Sequence, residues 1–362
     1  MSLKFNIFNK IFYNINKPLS KIKHINLIGK NLEELEELCK INNLPKFHGM
    51  QLFRWMYNKS NLNIDKMTNI PEKLKFIIQK EYRLSSLSIE KKLSSNEDDT
   101  IKYLFKTIDK KLIESVSMIE SSRHTICISS QIGCSVDCSF CATGKMGIIR
   151  NLDTGEIIEQ IIRISKDRKI PITNIVFMGM GEPFLNYENV IKACDILNNT
   201  SGFNLGAKRI TISTSGILPK IEKYINEKHK YKLAISLNAS NNTTRNKLIP
   251  INKKWPIENI LDTIKEYEFN KYQPIMFEYV LINGVNDSKK NAKELGALLS
   301  KISCKINIIP YNVTVNDYKR SENIDIFMNT LNNHKGKFRV LIRKNRGQDI
   351  SAACGQLVTE NV

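Results

Sequence analysis

The spacing of hydrophobic positions changes along the chain, and each change predicts a different kind of element. From residue 31 to about residue 80 apolar side chains recur every three or four positions, with Pro45 and Pro71 as breaks, which predicts a small helical domain. Between residues 85 and 130 the segments IKYLFKTI, LIESVSMI and TICISS alternate or run apolar over strand lengths. A few strands are therefore expected to lead into the next part of the chain.

Beyond Cys141 strand-like and helix-like segments alternate. The strand-like segments are TNIVFMGM, KRITISTS, YKLAISLN, PIMFEYVL, KINIIPYN and FRVLIR, and helical spacing occurs at 154–165, 187–197, 257–267 and 288–300. Buried strands joined by crossover helices require a parallel sheet. Counting TICISS as the first strand gives six or seven βα units, fewer than the eight of a closed barrel. The expected fold class is α/β, a partial (βα)6 barrel preceded by the helical domain and the leading strands.

The expected domain organisation has four parts. Residues 1–30 form a basic extension, 31–84 a helical accessory domain that binds RNA, 85–124 linking strands, and 125–362 the barrel with a C-terminal cysteine loop. The first 32 residues contain six Lys and no acidic residue, which suits a nucleic-acid-binding arm as well as an organellar targeting peptide. The absence of Arg and the presence of only two Ser there give the targeting peptide weak support.

Composition narrows the class of protein further. The chain carries 55 Lys and Arg against 36 Asp and Glu, a formal charge of +19, which predicts attraction to a polyanion such as nucleic acid. No window approaches eighteen consecutive apolar residues, so a membrane protein is not expected. Eight cysteines are too few for a disulfide scaffold, and four of them lie within fifteen residues. A metal site in a reducing compartment, the cytoplasm, is therefore expected.

Three of these clustered cysteines, Cys134, Cys138 and Cys141, form a CxxxCxxC pattern between an expected strand and an expected helix. Three thiolates suit an iron–sulfur cube that keeps one iron free for a substrate. A structural zinc site with Cys127 as fourth ligand is the alternative. The spacing, with an aromatic residue before the last cysteine, resembles the signature of the radical S-adenosylmethionine (SAM) superfamily.

A GxGEP segment containing Gly181 and Glu182 ends the next strand. Glycine lets the backbone approach a ligand and Glu182 can pair with an ammonium group, so the segment resembles that superfamily's loop for the SAM amino group. Ser213 and the Ser-Leu-Asn segment at 236–238 end the following two strands, where ordinary polar capping is the alternative. No GxxxxGK[ST] motif is present, which leaves a nucleotide triphosphatase without support.

The remaining candidate residues carry weaker signals. Cys354 follows the last strand in an Ala-Ala-Cys-Gly turn, and the basic residues just upstream favour a thiolate. Glu114 lies in an alternating strand, where an exposed carboxylate is the default expectation. Burial or core packing is expected for Cys39, Cys194, Cys304, Met178, Met180, Trp55 and Tyr57.

Together these segments resemble the RlmN/Cfr group of radical SAM RNA adenine methyltransferases. The resemblance covers most of the chain through ESVSMIE, TICISSQIGCSVDCSFCATG, VFMGMGEP, ITISTSG, IPINKKWPIE, INIIPYN and DISAACGQL, in that order. It implies a [4Fe-4S] cluster and SAM as cofactors, and 23S rRNA and tRNA as substrates. It also implies a monomer that takes electrons from a donor such as flavodoxin or ferredoxin.

The resemblance further implies roles for individual residues. Cys134, Cys138 and Cys141 would bind the cluster, Glu114 would accept a proton, and Cys127 and Cys354 would form the covalent pair. The residues implied to surround SAM are Gly181, Glu182, Ser213, Ser236, Leu237, Asn238 and Asn312. Asn238 departs from the pattern, since some relatives have His there; Asn keeps a donor and an acceptor but cannot be charged.

The implied reaction is methylation of adenine carbon 2 in 23S rRNA and in a subset of tRNAs through an S-methylcysteine. Methylation at carbon 8 of the same rRNA adenine, the Cfr activity, is a close alternative that the sequence does not separate from it. An alternative of another class is a basic RNA-binding protein whose iron–sulfur cluster is structural or redox-sensing.

Overall fold

A small helical unit forms the amino end of the part of the chain that the computed structural model describes, residues 25–266, 274–314 and 317–359. Its elements are β1 (Ile25–Asn26), α1 (Leu32–Ile41), α2 (Phe47–Phe53) with a π-helical turn (Arg54–Asn58), α3 (Glu72–Glu81) and β2 (Tyr82–Arg83). Strands β1 and β2 pair in parallel and bring the two ends of the unit together. Asn31 and Glu34 form a capping box at the start of α1, so local sequence defines where this helix begins.

The predicted boundary between the basic extension and the helical domain is wrong, because β1 and the residues after it belong to the folded unit. Leu27 and Ile28 are buried in the core. The backbone N–H of Gly29 donates to the hydroxyl of Tyr57 at 2.9 Å. The free energy gained by burying the apolar side chains of this stretch outweighs the preference of the neighbouring lysines for solvent. The rest of the predicted extension, residues 1–24, lies outside the described residues.

The remainder of the chain folds onto one mixed sheet. The strands that follow are β3 (Leu87–Ser94), β4 (Thr100–Thr107), β5 (Leu112–Glu120), β6 (Arg123–Cys127), β7 (Gln131–Gly133), β8 (Ile148–Asn151), β9 (Asn174–Phe177), β10 (Ile210–Thr214), β11 (Lys232–Ser236), β12 (Ile275–Leu281), β13 (Cys304–Pro310) and β14 (Phe338–Ile342). Strands β7 and β8 form a separate antiparallel hairpin. The other ten pair in the order β14-β13-β12-β11-β10-β9-β6-β5-β4-β3.

Within the described residues, the seven strands from β6 to β14 of this sheet run parallel, and β5, β4 and β3 extend it antiparallel. The helices after α3 are α4 (Ala142–Lys145), α5 (Thr154–Arg168), α6 (Tyr187–Asn198), α7 (Leu218–Asn226), α8 (Asn242–Leu248), α9 (Ile257–Glu266), α10 (Lys289–Leu299) and α11 (Ile324–Asn332). Helical crossovers join consecutive parallel strands, and β14 and β3 remain as separate edges of the sheet. The prediction of a partial (βα)6 barrel is confirmed.

A hydrophobic core lies between the sheet and its helices, and the parallel strands are largely buried except for β14 at the edge, which is only partly buried. Their carboxyl ends meet at one rim, where binding residues of α/β folds are found. No helix among the described residues is both long and apolar enough to cross a membrane.

Candidate active site

Three cysteines lie in the loop between β7 and α4. Cys134, Cys138 and Cys141 are free and half-buried. The loop is shaped by hydrogen bonds from the Cys134 N–H to the carbonyl of Gly147 at 2.8 Å and from the Cys141 N–H to the carbonyl of Cys138 at 3.1 Å. The pKa of Cys138 is raised, chiefly by burial and then by the charges of Cys141 and Cys134. The three cysteines are therefore within electrostatic reach of one another in a single loop.

A buried guanidinium balances this loop. Arg245 has no exposed surface, and among the described residues no carboxylate pairs with it. Burial lowers its pKa to about 10, and the charge of Cys138 opposes that shift. A buried cation within electrostatic reach of Cys138 fits a site that carries net negative charge, as three thiolates around an iron–sulfur cluster do.

The zinc alternative lacks a ligand set. In the described part of the chain, no three His, Cys, Asp or Glu side chains come close enough to hold one metal ion. A cluster does not need such closeness, because each thiolate binds a different iron. Cys127 is the fourth ligand in that alternative, but the charges that act on its pKa are those of Cys354 and Arg343.

The GxGEP segment connects β9 to the helix that follows. Gly181 has φ of +100°, and a Cβ added there would lie 2.5 Å from the Cβ of Gln131. Glu182 is buried, and its carboxylate accepts hydrogen bonds from the backbone N–H groups of Phe184 at 2.9 Å and Ser215 at 2.7 Å. Burial raises the pKa of Glu182. The carboxylate keeps lone pairs for an ammonium group.

The buried hydroxyl of Ser130, just before β7, has no hydrogen-bond partner among the described residues. The side chain of Ser215, just after β10, interacts with the Glu182 carboxylate and opposes the effect of burial on its pKa. Buried polar atoms in native proteins are nearly always paired, so the Ser130 hydroxyl fits a site that receives a polar ligand. The donors and acceptors at this rim suit SAM, and the cysteine loop beside them suits the cluster.

The other residues predicted to contact SAM lie along the same rim. Ser213 and Ser236 are half-buried near the ends of β10 and β11. The backbone N–H groups of Leu237 and Asn238 donate to the carbonyl of Glu278 at 3.0 and 3.2 Å. All four therefore lie where parallel strands end, as the sequence analysis expected from their positions.

Asn238 also has a structural role. Its φ is +56°, a left-handed conformation that Asn tolerates better than most residues. Its Oδ1 accepts a hydrogen bond from the N–H of Val280 at 2.8 Å, and its carbonyl accepts one from Nδ2 of Asn286 at 2.8 Å. Asn238 therefore links the end of β11 to β12 through its side chain and its backbone carbonyl.

Cys127 and Cys354 line one cavity of about 650 Å³ inside the barrel. Cys127 ends β6, and burial followed by the charge of Cys354 raises its pKa to about 12, whereas Arg343 opposes the shift. The charge of Cys354 is in turn the largest cause of the raised pKa of Arg343, and it also raises the pKa of Cys141. Cys354 therefore lies within electrostatic reach of both Cys127 and the cluster loop.

The loop of Cys354 is held from β13. Asn312, directly after that strand and its tyrosine, donates through Nδ2 to the carbonyl of Cys354 at 3.2 Å and accepts from Nε2 of Gln348 at 2.9 Å. Ala142 donates its N–H to the carbonyl of Gly355 at 2.8 Å. These bonds join the C-terminal loop to the barrel rim and to the residue after Cys141.

The expectation of an exposed Glu114 is wrong. The side chain is about 5% exposed, because Lys102 and the C-terminal segment cover it. Nζ of Lys102 lies 3.1 Å from Oε1, and the N–H of Val358 donates to Oε2 at 3.0 Å. Burial raises the pKa of Glu114, and Lys102 opposes the shift. The structure places Glu114 in a second cavity of about 510 Å³, not in the cavity of the cysteine pair.

The residues predicted to be buried or to pack in the core do so. Fully buried are Cys39, Cys194, Cys304, Met180 and Tyr57, and Met178 and Trp55 are partly buried and pack against the core. Met178 also lines the cysteine cavity, where its sulfur accepts from Nη1 of Arg343 at 3.4 Å. Trp55 is half-buried, with the ammonium of Lys59 3.7 Å from its ring centroid. The position of Met178 beside the GxGEP segment is the sequence signal that could have predicted its place in the cavity wall.

Several buried charged residues were missed by sequence reasoning, among them Lys102, Arg245 and Glu278. No motif or spacing distinguishes them from solvent-exposed charges, because their burial follows from contacts made in the folded chain, such as that of Lys102 with the carbonyl of Ser351.

Comparison with known proteins agrees with this geometry. Residues 128–295 match the radical SAM superfamily model, and residues 25–83 match the ribosomal RNA large subunit methyltransferase N-terminal domain. A crystal structure of a radical SAM methyltransferase from Sphaerobacter thermophilus superposes with a TM-score of 0.87 at 40% identity, covering 92% of this chain and 99% of that one. Fold and cysteine loop thus define a radical SAM enzyme.

Two curated relatives make the assignment narrower. The probable dual-specificity RNA methyltransferase RlmN of Clostridium novyi is 41% identical over 335 residues, covering 92% of this chain and 97% of the relative. The dual-specificity RNA methyltransferase RlmN of Buchnera aphidicola subsp. Schizaphis graminum is 44% identical over 350 residues, covering 93% and 95%. The chain belongs to the RlmN family of radical SAM RNA methyltransferases.

Proposed function

We propose that this protein methylates carbon 2 of an adenine in 23S rRNA and in tRNA, with Cys354 carrying the methyl group. The observation that supports this most is the meeting of Cys127 and Cys354 in one cavity, with Arg343 acting on both. A methyl carrier and a thiol that later releases the product require this proximity. The names of the relatives supply the class of substrate, RNA.

Carbon 2 of adenine is electron-poor and carries a strong C–H bond, so it is not a nucleophile for the methyl group of SAM. The three thiolates of Cys134, Cys138 and Cys141 would hold the cluster, and Glu182 with its neighbouring serines would hold SAM. When bound, these groups supply the methyl group and the radical chemistry that this carbon requires.

The thiols of the chain carry the methyl group in and release the product. Cys354 accepts the methyl group on sulfur. That methyl group would lose one hydrogen atom to the radical that the bound cofactors supply, and its carbon then joins the ring, so that a methylene bridge links RNA and protein. The Cys127 thiolate attacks the Cys354 sulfur: a disulfide forms, the sulfur–methylene bond breaks, and its electron pair passes to carbon, which takes up a proton. Two electrons from a donor such as flavodoxin or ferredoxin restore both thiols.

Glu114 is the proposed proton acceptor for carbon 2. It takes the proton while the ring gives up the unpaired electron left by the radical step, and that electron would pass to the cluster held by the three thiolates. Its Oε2 accepts a hydrogen bond from Val358, so the C-terminal segment has to move before the carboxylate can meet a ring. The base itself must leave its stack, which single-stranded or loop RNA makes easier.

The test is mass spectrometry of nucleosides from rRNA and tRNA after incubation with the reconstituted protein, SAM and a reductant. We expect 2-methyladenosine, none with Cys354→Ala, and an undiminished yield with Cys194→Ala, whose cysteine is buried away from the site. Only 8-methyladenosine would establish the carbon 8 reaction. RNA binding without any methylated nucleoside would favour the non-catalytic RNA-binding class.

A further inference from the structure

The barrel carries a second concentration of charge at the end opposite to the cysteines. Arg123 begins β6, Lys232 begins β11, Lys305 is the second residue of β13, and Lys208 and Arg209 directly precede β10. Because these strands are parallel, their amino ends meet at one edge of the sheet. We call this group of five residues the basic floor, and four of them, all but Arg209, line the cavity whose upper wall carries the cysteine pair.

Lys232 lies at the centre of the basic floor. It is half-buried, and its pKa is lowered by burial and by the charges of Lys305, Arg123, Arg209 and Lys208. Bringing like charges together at the end of a cavity destabilises the empty protein. An anion bound among them would remove that repulsion.

Two carboxylates line the cavity, and in the described segments neither forms an ion pair with a lysine of the floor. Glu278 accepts a hydrogen bond through Oε2 from Nδ2 of Asn307 at 2.7 Å, while its buried Oε1 has no hydrogen-bond partner among the described residues. Glu120 forms an ion pair with Nη2 of Arg346 at 2.5 Å. In the described segments of the chain, neither Lys232 nor Lys305 forms an ion pair with a carboxylate. No carboxylate of the described segments therefore neutralises these two lysines by direct contact.

The floor is separate from the proposed SAM site. Four residues of β11 lie between Lys232 and Leu237, so the two ends are roughly 15 Å apart along the strand. Active sites of α/β barrels lie at the carboxyl ends of strands, and the amino ends usually serve stability. A cluster of cations at the amino ends lowers the stability of the fold instead, and we infer a binding role from this cost.

We propose that the basic floor binds a phosphoryl group, either a phosphate of an RNA backbone or a free polyphosphate. Ammonium and guanidinium groups are the side chains that bind phosphate oxygens most strongly, and they converge here on a cavity of the size that small ligands occupy. The inference uses no step of the methylation reaction, so its failure would leave the proposed function untouched.

The first test measures the melting temperature of the reconstituted full-length protein with inorganic pyrophosphate, against chloride at equal ionic strength. At about five times its dissociation constant, pyrophosphate should raise the melting temperature of the wild type by about 1.5 °C. In Lys232→Met/Lys305→Met the rise should disappear, while the anion-free protein should melt no lower than the wild type because the repulsion is relieved. Lys289→Met/Lys293→Met, which removes two exposed charges from α10, should behave as wild type.

RNA separates the two sources of phosphate. If the RNA backbone occupies the floor, a single-stranded oligonucleotide should displace pyrophosphate and bind more weakly to the Lys232→Met/Lys305→Met variant than to the α10 control. If a free polyphosphate is the ligand, RNA affinity should be equal in both variants while the pyrophosphate response persists in the control. Equal responses of wild type and floor variant to both probes would overturn the proposal.

A measurement on the unmodified protein covers the case in which the floor variant fails to fold. An amine-reactive reagent should label Lys232 and Lys305 more slowly when pyrophosphate is present, by at least about threefold, while labelling of Lys289 stays constant. Equal protection of all three lysines, or none, would also overturn the proposal.

Discussion

Lys102 and Glu114 form a buried ion pair between the adjacent antiparallel strands β4 and β5. Lys102 also donates to the carbonyl of Ser351 at 3.2 Å, in the loop that leads to Cys354. One ammonium group thus opposes the effect of burial on the carboxylate and ties it to the C-terminal loop. In the proposed reaction Lys102 is a positioning residue.

We expect Lys102→Met to raise the pKa of Glu114, because burial then acts without its opposing charge. More of the carboxyl is protonated at a given pH, so methylation should fall toward the roughly 100-fold loss typical of a missing general base and recover as pH rises. A pH–rate profile measures this. Lys106→Met, on the same strand and paired with the exposed Glu90 at 3.4 Å, is the control. An equal loss at every pH would indicate mere structural damage.

The two cysteines of the cavity should fail in opposite ways. Cys127→Ala should stop after the carbon bridge has formed, because no thiol can attack Cys354, and a protein–RNA conjugate that survives denaturation and collapses under ribonuclease should accumulate. Cys354→Ala and the double variant should form no conjugate, since the attachment atom is gone. Gel mobility and iron content are measured on the same samples. Loss of iron in Cys127→Ala would mean that Cys127 is a metal ligand.

At the scale of elements, Arg245 fastens β10 to β11. Its guanidinium donates to the carbonyls of Ser215 at 2.6 Å, Ser236 at 3.1 Å and Leu237 at 3.0 Å, and to Oδ1 of Asn252 at 2.7 Å. Both strand ends carry residues proposed to contact SAM. A single side chain from α8 therefore sets the spacing of that part of the rim.

Arg245→Met should leave three buried carbonyls without a donor and lower the free energy of unfolding by about 3 kcal/mol or more. Arg245→Lys keeps the positive charge near Cys138 but loses the several N–H donors of the guanidinium. It should therefore lose about as much stability as Arg245→Met while retaining more iron. Denaturant unfolding and iron analysis check both. Arg339→Met, at an exposed position of β14, is the control and should change neither. Wild-type stability in Arg245→Met would contradict the role.

The GxGEP loop depends on its second glycine. Gly181→Ala should cost about 2 kcal/mol or more, because the alanine would be strained at φ of +100° and would collide with Gln131. The displaced loop should also weaken SAM binding, measured by calorimetry on the reconstituted protein. Gly206→Ala, where an added Cβ meets nothing within 4 Å, should stay within roughly 1 kcal/mol of wild type. Equal effects of the two would show that backbone geometry is not what the loop requires.

For the whole molecule, sequence reasoning succeeds where the determining interactions are local. The alternation of strands and helices follows from residue spacing. The start of α5 is determined by a capping box between Asp153 and Glu156, which lie within four consecutive residues. It fails where burial depends on distant segments. Glu114 is covered by Val358 in the C-terminal segment, and Arg245 is enclosed by the ends of β10 and β11. The β7–β8 hairpin was missed because its outer residues, Ile148 and Ile149, are apolar yet exposed.

The charge of the whole chain gives a prediction that no single residue determines. With a formal charge of +19, RNA binding should engage several phosphates and release their counterions. For six to ten contacts the affinity should fall by roughly a thousandfold or more between 50 and 200 mM salt, measured by filter binding or fluorescence anisotropy. SAM binding on the same protein is the control: a small ligand held by buried groups such as Glu182 should lose little affinity over that range. A flat response of RNA binding would mean that contacts other than phosphates dominate, and the basic composition would then have to serve something else.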